Sequence, residues 1–118
     1  MPSPESVRDL VVAALEELKA LDISVVDVRG QTSFTDFMVV ASGRSDRQVK
    51  ALAHKVTAAA KEQGVDVLGV EGEREGEWAL VDLNDVVVHV MQPRVREFYQ
   101  LEKLWFDGGP RSRAAVSS

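Results

Sequence analysis

Residues 78–91 read WALVDLNDVVVHVM, and this stretch decides the kind of fold that the chain can form. The runs from Trp78 to Leu83 and from Val86 to Met91 are dominated by apolar and β-branched residues, which favour strands. The pair Asn84-Asp85 between them is a tight turn signal. The stretch therefore predicts two consecutive strands of one sheet.

The first of these two strands carries different side chains on its two faces, because successive residues in a strand point to opposite sides. One face holds small apolar residues that suit a core beneath helices, namely Ala79, Val81 and Leu83. The other holds an aromatic residue, an aliphatic residue and a charge, a combination typical of protein interfaces: Trp78, Leu80 and Asp82. The strand pattern alone leaves two interpretations equally open, an interface or a core tryptophan in a strand covered on both faces.

The flanking segments predict an α+β domain. Apolar periodicity predicts a first helix over about residues 4–20, a second from the cap at Ser45 to Gly64, and a last helix from Pro93 onward. Strand signals occur at residues 23–29, 35–41 and 67–71, and a glycine-rich turn at 71–76. The predicted order is α-β-β-α-β-β-β-α, a mixed sheet of about five strands with helices packed on it.

The second helix has a specific start signal. Ser45 and Gln48 have capping-box spacing, which predicts that the Ser45 hydroxyl accepts from the Gln48 N–H while the Gln48 amide reaches back to the cap. The loop from Ser42 to Ser45 could also hold an anion at the helix start, an option that Arg44 and Arg47 keep open. A capped helix start is the favoured interpretation.

Composition places the chain among ordinary globular domains. It has 118 residues, 45% of them hydrophobic and 28% charged, and it contains no cysteine, which suits a reducing compartment. Residues 1–9 do not resemble a signal peptide, and no stretch is long enough to cross a bilayer, so we expect a cytoplasmic protein without a membrane partner. Residues 1–107 are expected to form the domain, and the Gly/Pro/Ser/Arg-rich residues 108–118 a disordered tail.

The charge balance indicates the kind of partner. Nineteen acidic residues oppose fourteen basic ones, giving a net charge of −5. Proteins that hold nucleic acid through its phosphates usually have a basic face. A partner that presents positive charge therefore fits better than RNA or DNA as the dominant ligand, although one basic helix face could still contact phosphates.

No catalytic constellation can be assembled from the sequence. Neither the P-loop pattern nor the dinucleotide-binding glycine pattern occurs. The acidic residues Glu71, Glu73, Asp82 and Asp85 are better explained as solvated turn residues than as a metal-binding pair. His89 lies in an apolar strand and His54 beside lysines, so neither predicts a ligand set. We predict no catalytic residue, no metal ligand and no cofactor.

Four segments together resemble one known family. They are residues 35–48 (TDFMVVASGRSDRQ), 78–82 (WALVD), 85–91 (DVVVHVM) and 96–105 (REFYQLEKLW). In this order and spacing they resemble the ribosomal silencing factor family, also called the Iojap family, over about residues 5–107. Asn84 stands where that family often has a glycine.

The resemblance implies a function. Members bind a conserved protein of the large ribosomal subunit, numbered fourteen (uL14), and obstruct joining of the small subunit, which lowers translation when nutrients are scarce. It also implies a fold similar to that of nucleotidyltransferases without their activity. Asp82 would meet a basic group of the partner within a surface formed by Trp78, Leu80, Asp82, His89, Met91 and Tyr99.

Two other functions stay open at the level of sequence. One is a nucleotidyltransferase-like enzyme that uses Ser42-Gly43 and the acidic residues near Glu71 and Asp82. The other is a scaffold that forms a homodimer through the Trp78 face.

Overall fold

The computed structural model describes residues 2–99 and confirms the predicted α+β class and order of elements. The last helix is described through Tyr99; its predicted continuation at Leu101, Leu104 and Trp105 and the predicted tail at 108–118 lie outside the described residues. The elements are α1 (Pro4–Glu17), β1 (Leu21–Asp27), β2 (Phe37–Ser42), α2 (Asp46–Glu62), β3 (Gly69–Glu71), β4 (Trp78–Asp82), β5 (Val86–Met91) and α3 (Pro93–Tyr99).

The five strands form one mixed sheet in the order β1-β2-β5-β4-β3. β2 and β5 run parallel, and the other neighbouring pairs run antiparallel. A parallel pair needs a long crossover connection, and here α2, β3 and β4 lie between the two strands in the chain. The sheet is therefore mixed, as predicted, with β5 at its centre between β2 and β4.

The main core lies between one face of the sheet and helices α1 and α2. Ala79, Val81 and Leu83 are at most 2% exposed within it, so the predicted inward face of β4 is confirmed. A smaller apolar cluster lies on the opposite face and contains Val26, Val28, Met38, Val40 and Met91, with Trp78 and Val95 packed against it. Every residue of β2 is buried, because apolar side chains cover both of its faces.

The first helix ends earlier than predicted, at Glu17 instead of about residue 20. Lys19 has φ +59°, and its N–H donates to the carbonyl of Glu16 over 2.9 Å while the N–H of Ala20 donates to that of Leu15 over 3.0 Å. These two bonds form a Schellman end, for which the usual glycine signal is missing here. β1 then begins at Leu21, before a bulge that precedes Ser24.

The capping prediction for α2 is half correct. The Ser45 hydroxyl accepts from the N–H of Gln48 over 3.1 Å, as predicted. The Gln48 side chain does not reach the cap residue: its Oε1 accepts from the N–H of Arg44 over 2.6 Å, and its Nε2 donates to the carbonyl of Leu18 over 3.2 Å. The side chain thereby ties the start of α2 to the end of α1.

The other end of α2 follows the prediction. Gly64 has φ +75°, and the N–H of Val65 donates to the carbonyl of Ala60 over 2.8 Å. None of the helices within residues 2–99 combines the length and apolar character that crossing a membrane requires.

Candidate protein-binding site

The face of the sheet that α1 and α2 leave uncovered is called here the open face. Its centre is formed by alternate residues of β4 and β5, brought together by an antiparallel register in which Leu80 lies opposite His89 and Asp82 opposite Val87. The parallel register of β2 with β5 adds Met38 beside Val87. The open face comprises Met38 and Val40 of β2, Trp78, Leu80 and Asp82 of β4, and Val87, His89 and Met91 of β5.

Trp78 and His89 are joined across this face. The indole Nε1 donates to Nδ1 of His89 over 3.0 Å, and the ring centroids lie 5.9 Å apart at an angle of 50°. Burial lowers the pKa of His89 from 6.5 to about 4, so the imidazole is neutral at pH 7. Because Nδ1 accepts, the proton of the neutral ring is on Nε2.

The outward residues of β4 are neither core nor fully solvated. Trp78, Leu80 and Asp82 are all partly exposed, while the alternating residues Ala79 and Val81 are completely buried. Within residues 2–99, the three outward side chains are therefore partly accessible, while the opposite face of the strand is in the core. The strand thus presents an aromatic, an aliphatic and an acidic side chain on one surface.

Asp82 is oriented by the turn that follows it. One of its carboxylate oxygens accepts from the N–H of Asn84 over 2.8 Å, and Asn84 has φ +71°. Asparagine tolerates this conformation better than most residues, which explains how it can stand in place of glycine. The carboxylate therefore lies in a defined position at the end of β4.

The remaining two predicted binding residues have different positions. Met91 lies opposite Trp78 on the neighbouring strand and is fully buried in the smaller apolar cluster, against which Trp78 packs, so its side chain does not reach the surface. Tyr99 is the last described residue of α3, and its side chain lies outside the described part of the chain.

Helix α3 is fixed to one end of the open face by an arginine that the sequence analysis did not identify. Arg96 donates from its two terminal nitrogens to the hydroxyls of Ser42 and Ser24, each over 3.0 Å. The donor and Ser24 are 72 positions apart in the chain, and no local spacing could have indicated the contact. Val87 and Met38 were also missed, although alternation along β5 places Val87 on the same side as His89.

The acidic residues do not converge on one point. Glu73 contacts Nε2 of His54 at 2.8 Å, and Glu71 lies opposite Leu80, diagonal to Asp82. Within residues 2–99 no three His, Cys, Asp or Glu side chains are grouped as a metal site would require.

The loop before α2 uses its backbone donors internally. The N–H of Gly43 donates to the carbonyl of Met91 over 3.0 Å, and those of Arg44 and Gln48 bond to side chains within the cap. A β-carbon at Gly43 would lie 2.9 Å from Val49 Cγ2, so the loop is closely packed on the helix. This geometry favours a capped helix start over an anion site.

Comparisons with known proteins agree along nearly the whole chain. The family model described as "Ribosomal silencing factor during starvation" matches residues 1–117. A Chromobacterium violaceum protein named ribosomal silencing factor RsfS is 48% identical over 114 residues, covering 97% of this chain and 92% of that protein. A mouse protein named mitochondrial assembly of ribosomal large subunit protein 1 is 36% identical over 100 residues, covering 82% of this chain and 44% of that protein.

A solved structure shows the same architecture. The crystal structure of a Chromobacterium violaceum protein superposes with a TM-score of 0.87 and 50% sequence identity, covering 91% of this chain and 88% of that one. The family model spans the sheet and its open face, since it matches residues 1–117. The chain belongs to the ribosomal silencing factor family.

Proposed function

We propose that this chain binds the large ribosomal subunit through uL14 and thereby prevents the small subunit from joining. Membership of the ribosomal silencing factor family supports a role at the ribosome, and the family description names starvation as the setting. The mouse relative carries the large ribosomal subunit in its name, which favours that subunit over the small one. The chain would act in the cytoplasm, reducing translation when nutrients are limiting.

One observation carries the choice of surface. β4 presents Trp78, Leu80 and Asp82, partly exposed, on the side of the sheet that α1 and α2 leave uncovered. Large aromatic residues at the centre of an interface contribute a disproportionate share of binding energy. The hydrogen bond to His89 holds the indole in place before binding, so little side-chain freedom is lost on association.

Charge supports a basic protein partner. The chain has a net charge of −5, and Asp82 lies at a fixed position on the edge of the proposed surface. An acidic group facing a basic one accelerates encounter and fixes the orientation of the complex. Asp82 would meet a lysine or arginine of uL14.

The proposed mechanism requires that the chain binds the large subunit and occupies space on its surface. It requires no chemical step. Two of the acidic residues are engaged in local contacts, Glu73 with His54 and Asp82 with Asn84. A domain bound on a surface needed for subunit joining would exclude the other subunit by volume alone.

The direct test uses purified subunits. Large and small subunits are mixed at a magnesium concentration that supports association, with the chain in excess, and separated on a sucrose gradient. We expect the joined-ribosome peak to fall and the chain to sediment with large subunits. Trp78→Ala should restore the peak, while Leu68→Ala, a change at an exposed apolar residue beside β3, should act as wild type. An undiminished joined-ribosome peak with the wild-type chain contradicts the proposal.

A further inference from the structure

A cleft beside the open face contains the most exposed large apolar side chain of the described residues. Phe34, in the loop between β1 and β2, is 85% exposed. It borders a cleft of about 410 Å³ whose walls are mostly apolar. Besides Phe34, the lining includes the apolar residues Val28, Met38 and Val87 and the polar residues Gln31, Thr32, Thr35 and His89.

This cleft is continuous with the surface of the proposed function. Val87 lies opposite Asp82, and His89 lies opposite Leu80, so two residues of the cleft wall are direct neighbours of the β4 surface. A protein that covers Trp78, Leu80 and Asp82 and extends toward β2 would pass over the mouth of the cleft. The two surfaces would then be covered by one partner.

A polar atom within the cleft wall lacks a hydrogen-bond partner. Gln31 Oε1 is buried without one in the described part of the chain, while its Nε2 donates to the carbonyl of Asp27 over 3.5 Å. A buried acceptor without a donor is unfavourable in the free chain. The walls of the cleft are thus mostly apolar and also contain the polar side chains of Gln31, Thr32, Thr35 and His89.

The charges around the cleft indicate the chemistry of the occupant. Among residues 2–99, no charged side chain lines the cleft, and the nearby Arg29 is paired with Glu5 and Asp27 at 2.9 Å and 2.6 Å. Asp82 stands next to the cleft wall across from Val87. A basic segment would therefore be favoured here over an acidic one.

We propose that this cleft receives an aliphatic side chain carried on a basic segment of the large-subunit protein, with Phe34 closing over that side chain. The inference rests on the proposed function and adds a second anchor to it. It assigns a binding role to the β1–β2 loop.

The test compares three variants for affinity to purified large subunits. Phe34→Ala should weaken binding by about tenfold or more, as expected for an aromatic anchor. Trp78→Ala reports on the main surface, and Leu68→Ala is the matched control for loss of an exposed apolar side chain. The unfolding midpoint of Phe34→Ala should equal that of wild type because the ring is almost fully exposed.

The outcomes separate the two proposals. In one outcome, wild type binds large subunits, Trp78→Ala weakens the binding, and Phe34→Ala binds as tightly as Leu68→Ala. That outcome overturns the cleft proposal and leaves the proposed function standing. If wild type does not bind large subunits at all, both are overturned. If light scattering shows that Phe34→Ala disrupts self-association without affecting subunit binding, the occupant is a second copy of the chain and the cleft proposal is wrong.

Discussion

The indole Nε1 of Trp78 donates to Nδ1 of His89 over 3.0 Å, which joins β4 to β5 across the open face. The bond fixes the orientation of the tryptophan and the tautomer of the neutral histidine at the same time. Both residues belong to the surface proposed to bind the ribosome, so their contact links the stability of the free protein to the shape of its binding site.

The variant Trp78→Phe should separate the contribution of the hydrogen bond to stability from that of the packed aromatic ring. The variant keeps an aromatic ring against the smaller apolar cluster but leaves His89 Nδ1 without its donor. We expect the free energy of unfolding to fall by roughly 1–3 kcal/mol, the cost of leaving a buried acceptor unpaired. Urea denaturation measures this loss. The double variant with His89→Phe should lose less than the sum of the two single changes, and additive losses would show that the bond contributes nothing.

Stability should fall as the pH is lowered from 7 to 5. The pKa of His89 is about 4 in the folded chain and 6.5 when solvated, so the unfolded state takes up a proton first as the pH decreases. The stability that depends on neutral His89 is fully present above the unfolded-state pKa of 6.5 and is lost progressively between pH 6.5 and 4. Proton uptake by His89 in the unfolded state should alone lower the free energy of unfolding by about 2 kcal/mol between pH 7 and 5.

Urea denaturation at both pH values measures this effect, and His89→Phe should remove most of it. His54→Ala is the matched control, because the His54 side chain is 72% exposed. A pH dependence that persists unchanged in His89→Phe would show that another group is responsible.

Two glycines with the same backbone angle should respond differently to alanine. Gly64 and Gly76 both have φ +75°, but a β-carbon at Gly64 meets nothing within 4 Å, whereas one at Gly76 would lie 2.5 Å from Asp46 Cβ. Gly64→Ala should cost about 1–2 kcal/mol for the left-handed conformation alone. Gly76→Ala should cost a further 1–3 kcal/mol or so for overpacking between the turn and the start of α2. Equal losses in thermal unfolding would contradict this packing.

Part of this account could be predicted from the sequence because its determinants are local. The alternation in residues 78–83 indicated which face of β4 is buried, and the capping spacing indicated where α2 begins. The end of α1 was not predicted, because Lys19 has the left-handed backbone conformation that glycine usually adopts after the end of a helix. This difference arises from a backbone conformation that residue type only weakly predicts.

The composition of the open face depends on contacts that local patterns do not contain. The parallel pairing of β2 with β5 brings Met38 beside Val87, although the two residues are separated by a helix and two strands in the chain. Arg96 reaches Ser24 in the same way. The cleft beside Phe34 exists only because β5 meets β2 and the loop before it, so it could not be predicted from the sequence.

The most direct test of the central claim is the affinity of Trp78→Ala for purified large ribosomal subunits, measured together with its free energy of unfolding. We expect binding to weaken by at least about 2 kcal/mol, as for a central aromatic anchor. The folding cost should stay below the roughly 3–5 kcal/mol of a core tryptophan, because Trp78 is partly exposed and Ala79, Val81 and Leu83 form the core side of this region. A folded Trp78→Ala protein that binds large subunits as tightly as wild type would contradict the account.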